Sequence, residues 1–172
     1  MIGGIFHQGS GLGNQLFRYV ATRVLAEDKG LDFGMVAPEH FKGASFMKLD
    51  MGTPIVCSWS IADGGKVIPI SSMASFEEKK VMENGVDIRG YDPEINFVPN
   101  NTIIDGEFQD DKYFGHRLSD VNKWLRVEQL GMPNDVCVIG FRGGEFTGIP
   151  ELFLTREYWD TAMAHMRTIN PN

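Results

Sequence analysis

The chain has 172 residues, of which 42% are hydrophobic and 23% charged, with a formal net charge of −7. That is enough apolar material for an ordinary core and enough charge for a solvated surface. The acidic balance argues against a protein that coats nucleic acid, which calls for a basic face.

Cys57 and Cys137 lie far apart with no CxxC pair, and His7, His40, His116 and His165 form no HExxH-like pattern. Neither a disulfide framework nor a metal site is expected. No apolar run approaches the roughly 20 residues of a membrane span. Met1 to Phe6 lacks the basic start and apolar core of a signal peptide. The expectation is a reducing, cytoplasmic setting with no integral membrane segment and no nucleic acid partner.

Ile2–Phe6 reads as a short buried strand. Gly9, Gly11 and Gly13 then form a glycine loop, and Asn14 opens a helix running to about Asp28. Its apolar face is Leu16, Phe17, Val20, Ala21, Val24 and Leu25, and Gly30 is its stop. Leu31–Val36 reads as a second strand, ended by Pro38. Residues 38 to 75 are expected to be loops and short strands, with Pro54–Ser60 and Lys66–Ile70 as strand candidates. Ser75, followed by Glu77 and Glu78, reads as the start of a helix to about Asn84. Asp87–Tyr91 and Thr102–Glu107 have strand character, separated by a loop that Pro93, Pro99 and Asn100–Asn101 mark.

Aspartates 110 and 111 precede Tyr113, Phe114 and Leu118, which makes a helix from near Asp110 plausible, and Ser119 opens another. Gly131, Pro133 and Asn134 break the pattern, so a boundary is expected there, between an N-terminal α/β domain (1–133) and the start of a second Rossmann-like half (134–172). Val136–Ile139 reads as a buried parallel strand. Gly140–Phe146 is a second glycine-bearing loop, and Thr155 precedes a last helix. The order is that of an α/β fold. The second half reads as truncated, because the last helix should feed another parallel strand. An unpaired strand there would favour homo-oligomers.

Strand, glycine loop and helix together suit an anion, because a helix N-terminus carries unpaired N–H groups and partial positive charge. The dinucleotide fingerprint fails at Asn14 and Leu16, and no GK[ST] follows for a P-loop. The alternative is a tight strand-to-helix turn whose glycines serve close packing. Arg142, just past the expected buried strand Val136–Ile139, is suited to a phosphate group, since guanidinium donates two parallel hydrogen bonds; the alternative is a surface arginine paired with Glu145 or Glu151. Gly143 and Gly144 would allow close backbone approach, and Glu145 could hold Arg142 or be a solvated acid. His7 borders the first loop, with packing as its expected role. Asp105, Glu107, Asp110 and Asp111 are unranked candidates for a general base. Trp124 and Trp159 read as core.

The whole string is more specific than its glycines. Gly11, Leu12, Gly13, Asn14, Gln15, Leu16, Phe17 and Tyr19 resemble the opening G-x-L-G-N-Q-h-F-x-Y-A run of the bacterial-type alpha-1,2-fucosyltransferases. Gly106, Phe108, Gln109, Lys112, Tyr113 and Phe114 resemble that family's G-x-F-Q-x-x-K-Y-F element. At the family group's H-x-R-R-x-D motif the chain keeps Arg142, with Gly140, Gly143 and Glu145 in place of the histidine, second arginine and aspartate. The resemblance implies a GT-B-type architecture and inverting transfer of fucose from GDP-fucose to a galactoside hydroxyl, without a metal. GDP-fucose would be the substrate and a glycan the acceptor. Arg142 would be the catalytic residue, and Gly11, Gly13, Asn14, Gln15, Gly143 and Glu145 would contact the donor. The alternative is a truncated, non-catalytic fragment of that fold, binding nucleotide weakly or serving as an oligomerising module.

Overall fold

The computed structural model of the chain describes residues 1–56, 68–84, 86–88, 90–127, 131 and 154–169. Four strands form an all-parallel sheet: β1 (Ile2–Ile5), β2 (Phe33–Val36), β5 (Ala74–Glu77) and β8 (Thr102–Asp105), in the order β2-β1-β8-β5. Ile2 lies opposite Phe33 on one side and Thr102 on the other. Two short pairs sit outside this sheet: β3 (Ile55–Val56) with β4 (Ile68–Pro69), parallel, and β6 (Val81–Glu83) with β7 (Val86–Ile88), antiparallel. The helices are α1 (Leu12–Asp28), α2 (Leu118–Trp124) and α3 (Arg156–Ile169). This is a mixed α/β fold with a parallel sheet, of general Rossmann-like architecture.

A parallel sheet needs cover on both faces, and the strand alternation provides for it. Ile2 and Ile104 face Ala21, Leu25 and Ala26 of α1. Ile103 and Val36 face the opposite way, onto Met1 and Ile55, with Ile68, Ile70 and Met73 packed alongside. Gly4 allows α1 to approach, because a Cβ there would collide with the Thr22 hydroxyl. A third cluster, of Phe6, Tyr19, Val20, Val24, Met35, Phe41 and Met47, fills the space beside the loop that follows β1.

Two compact units divide the chain, Met1–Glu128 and Gln129–Asn172. Among the described residues, every element but α3 belongs to the first. In the second, α3 has no buried side chain, and Trp159, expected in the core, is only half-buried. The expected strand Val136–Ile139 and the loop Gly140–Phe146 lie outside the described residues.

Three expectations need correction. The expected helix from Ser75 to Asn84 is instead strand β5 followed by the β6–β7 pair. Ser75 and Phe76 lie opposite Ile103 and Ile104, so the free edge of β8 captures this backbone and overrides the local helix signals. Glu78, read as a first-turn acid, is buried just past the strand. The expected helix near Asp110 is two single 3₁₀ turns, Asp111–Tyr113 and Gly115–Arg117, before α2 begins at Leu118. Asp110 accepts from the Lys112 N–H (2.9 Å), the side-chain-to-backbone bond of a turn. Finally, α1 starts at Leu12 with Gly11 as its N-cap and no side-chain capping bond. Asn14 therefore lies inside the first turn and does not cap it.

Candidate functional site

In open parallel sheets, ligands gather outside the carboxyl ends of the strands. Here β1 and β8 are parallel neighbours, and the residues at and just past their ends converge. His7, two residues beyond β1, places Nε2 at 2.9 and 3.0 Å from the two carboxylate oxygens of Asp105, the last residue of β8. Arg18, one turn along α1 from Asn14, donates through Nη1 to Asp105 and through Nη2 to Glu107 (3.0 Å). The Arg18 side chain is 7% exposed, against 44% for His7 and 37% for Asp105. A buried cation thus holds a carboxylate whose other face is open. His7, Arg18, Glu77, Lys80, Asp105 and Glu107 are among the residues that line the resulting cleft, of about 190 Å³.

The electrostatics follow from this arrangement. Partial burial, the largest single influence on Asp105, pushes its carboxyl upward. The hydrogen bonds and charges of His7 and Arg18 together outweigh it, and the group ends below its ordinary value of 3.8. Asp105 is therefore a carboxylate near neutral pH. A carboxylate only accepts, so Nε2 of His7 carries a proton, and in the neutral form of the ring the lone pair lies on Nδ1. The expectation of a packing role for His7 is corrected: its ring is half-exposed and bonded at the cleft.

The glycine loop is arranged differently from a packed turn. A Cβ on Gly11 or Gly13 would have nothing within 4 Å. Neither glycine has a positive φ; in this loop only Gly9 does, at +87°. Close packing is not what they serve. They leave open space over the first turn of α1, where the N–H groups before Gln15 have no helical acceptor. Asn14 is half-buried and its Oδ1 accepts from Gln109 Nε2 (3.1 Å). Gln15 is fully buried: its Nε2 donates to the His40 carbonyl (2.7 Å) and its Oε1 accepts from the Lys42 N–H (2.9 Å). Its side chain pins residues 40–42 beside the loop. Lys42 in turn donates from Nζ to the Gly9 carbonyl (3.3 Å).

The segment after β8 is built on one buried carboxylate. Glu78 accepts from the N–H groups of Glu107 (2.7 Å) and Phe108 (3.1 Å) through Oε2, and from the Tyr113 hydroxyl (2.7 Å) through Oε1. Gly106 is required, because a Cβ there would sit 2.5 Å from the Glu78 Cβ. Phe108 is held at φ +51° with its ring fully buried against Tyr113. Phe108 and Tyr113 therefore shape the segment from within, and Gln109 is the member that reaches the loop.

Arg142, Gly143 and Glu145 lie outside the described residues. Among the described residues, the structure brings together Gly11, Gly13 and Asn14 on the first turn of α1 and adds Gln109. The sequence reading passed over Arg18. Its spacing from Asn14, four residues on one helix face, was the available signal. Asp105 stood unranked among four acids, and its partners single it out. A second cleft, of about 300 Å³, lies between α1 and Tyr91–His116, away from the strand ends.

Among the described residues, no group of three or more His, Cys, Asp or Glu side chains could hold a metal ion, and no helix is long and apolar enough to cross a membrane. Searched against protein-family models, curated proteins and solved structures, the chain matches none.

Proposed function

We propose that this chain is a fucosyltransferase-like protein that transfers fucose from GDP-fucose to a galactoside hydroxyl with inversion, on a GT-B-type architecture. In this reading the open first turn of α1, at Gly11, Gly13 and Asn14, faces the donor. Arg142, in the loop Gly140–Phe146, stabilises the leaving diphosphate, with Gly143 and Glu145 beside it. A guanidinium there lowers the barrier because negative charge on the diphosphate grows in the transition state.

One observation carries the reading. The two segments that resemble the family, Gly11–Tyr19 and Gly106–Phe114, are 95 residues apart at Asn14 and Gln109, yet they meet through the bond between those side chains. They meet at the carboxyl end of the parallel sheet, where α/β folds hold their ligands.

Calorimetric titration with GDP and GDP-fucose tests the proposal, with Gly13→Ala and Arg142→Ala beside the wild type. Gly13 lies in a helix with open space above it, so alanine should raise fold stability by up to about 1 kcal/mol. It should also lower GDP affinity about tenfold, which is about 1.4 kcal/mol. Arg142→Ala should cut transfer to a galactoside by about 100-fold or more. If the wild type binds neither nucleotide, the donor assignment has no support left.

A further inference from the structure

The chemistry above needs a group to take the proton of the acceptor hydroxyl, and the resemblance does not name one. We propose that His7 is the general base of the transfer, accepting that proton at Nδ1, and that Asp105 orients its ring and stabilises the imidazolium. This inference rests on the transferase reading and adds the acceptor side to it.

Three observations support it. First, the tautomer is set. The Asp105 carboxylate can only accept, so it fixes the proton on Nε2 (2.9 and 3.0 Å) and leaves Nδ1 basic. Second, among the described residues Nδ1 has no protein partner, and the half-exposed ring lines the cleft at the strand ends. Third, the dyad is held from behind. Arg18, almost wholly buried, bonds Asp105 and Glu107 and fixes the carboxylate without covering its solvent side. Besides Asp105 and Arg18, the titratable groups facing this cleft are Glu77, Glu78 and Lys80 at the end of β5 and Glu107 after β8. A surface with this many carboxylates disfavours a phosphate and suits a neutral polyol, whose hydroxyls donate to them. The acceptor sugar fits that chemistry better than the diphosphate does.

The step balances. The acceptor oxygen forms a bond to the anomeric carbon of fucose as the bond from that carbon to the diphosphate oxygen breaks. The electron pair leaves with GDP, and the hydroxyl proton passes to Nδ1 of His7. Proton transfer of this kind is worth about 10²- to 10⁴-fold.

The test uses the full chain with His7→Gln, whose exposed position leaves the core untouched. Transfer from GDP-fucose to a galactoside, GDP affinity, and the histidine ring resonances on adding lactose alone are all measured. The expected result has four parts. Lactose shifts the His7 resonances, His7→Gln lowers kcat at least 100-fold, GDP affinity is unchanged, and the acid limb of the wild-type pH profile disappears in the variant. Transfer by His7→Gln at the wild-type rate overturns the base and leaves the transferase reading standing. His7 resonances that stay put at saturating lactose overturn it too. A wild type that binds GDP-fucose but transfers nothing removes both. Asp105→Asn separates orientation from packing: it should lower kcat with KM little changed, whereas a merely structural Asp105 would lower stability and leave the kcat of the folded fraction intact.

Discussion

Tyr113 and Glu78 form a buried acid–phenol pair, and the pair sets what the protein tolerates. Burial is the largest influence on the Tyr113 hydroxyl. The N–H of Asp92 (2.8 Å) partly offsets it, and the bond and charge of Glu78 raise the hydroxyl further, so the phenol ends well above its ordinary value of 10.0. A group whose folded pKa is raised contributes stability that is complete below its unfolded pKa and is lost as pH rises toward the folded one. The protein should therefore lose stability above pH 10, and absorbance should show Tyr113, together with Tyr19, whose hydroxyl is also raised, chiefly by burial, ionising late, as the fold opens. Tyr113→Phe should cost about 1–3 kcal/mol in urea denaturation, because the Glu78 carboxylate and the Asp92 N–H each lose a buried partner. The alkaline loss should shrink with it. Gly106→Ala, which drives a methyl against Glu78, should cost a comparable amount by overpacking.

At the scale of the element, α1 does two jobs at successive levels of one face. Ala21 and Leu25, with Ala26 at its margin, bury against β1 and β8, while Asn14 and Arg18, nearer the N-terminus, face the strand ends. About a quarter-turn round from Asn14, Gln15 ties the helix to the turn at 40–42. Gln15→Leu should cost about 1–3 kcal/mol, because the Lys42 N–H and the His40 carbonyl lose their partner. Amide hydrogen exchange should then quicken at Lys42. The aromatic residues of the same helix have structural duties. Tyr19 accepts from Arg23 (2.8 Å), and the Arg23 guanidinium lies 4.2 Å from the Trp124 ring centre and 5.0 Å from that of Phe33. Trp124, expected in the core, is thus a half-buried lid on a cation.

For the whole molecule, the ion cluster at the strand ends links stability to pH on the acid side. Asp105 has a lowered pKa in the fold, so its contribution is present above its ordinary 3.8 and is lost as pH falls below that value toward the folded one. Arg18→Met removes the cation from Asp105 and Glu107 and should cost about 3 kcal/mol at neutral pH, where both acids are charged. Its deficit should narrow as the carboxylates protonate. Urea denaturation of both proteins from neutral pH down through 3.8 measures this. A constant gap across the range would mean that the cluster does not govern acid stability.

The sequence alone was enough to place β1, the glycine turn, α1 and β2, because apolar periodicity and a glycine stop are local signals. It also placed β8 and marked Gly11–Tyr19 and Gly106–Phe114 as segments of one pattern. It misread Ser75–Asn84, where capping and first-turn acids spoke for a helix and the edge of β8 imposed a strand. It could not separate Asp105 from three other acids or Gln15 from Asn14. Those distinctions depend on what lies across the sheet end, up to 98 residues away in the chain. Only the tertiary structure turned Glu78 into a buried anchor, left Gly11 and Gly13 under open space, and set His7 against Asp105. Hydrogen bonds and burial between distant segments decide such roles, and no local pattern encodes them.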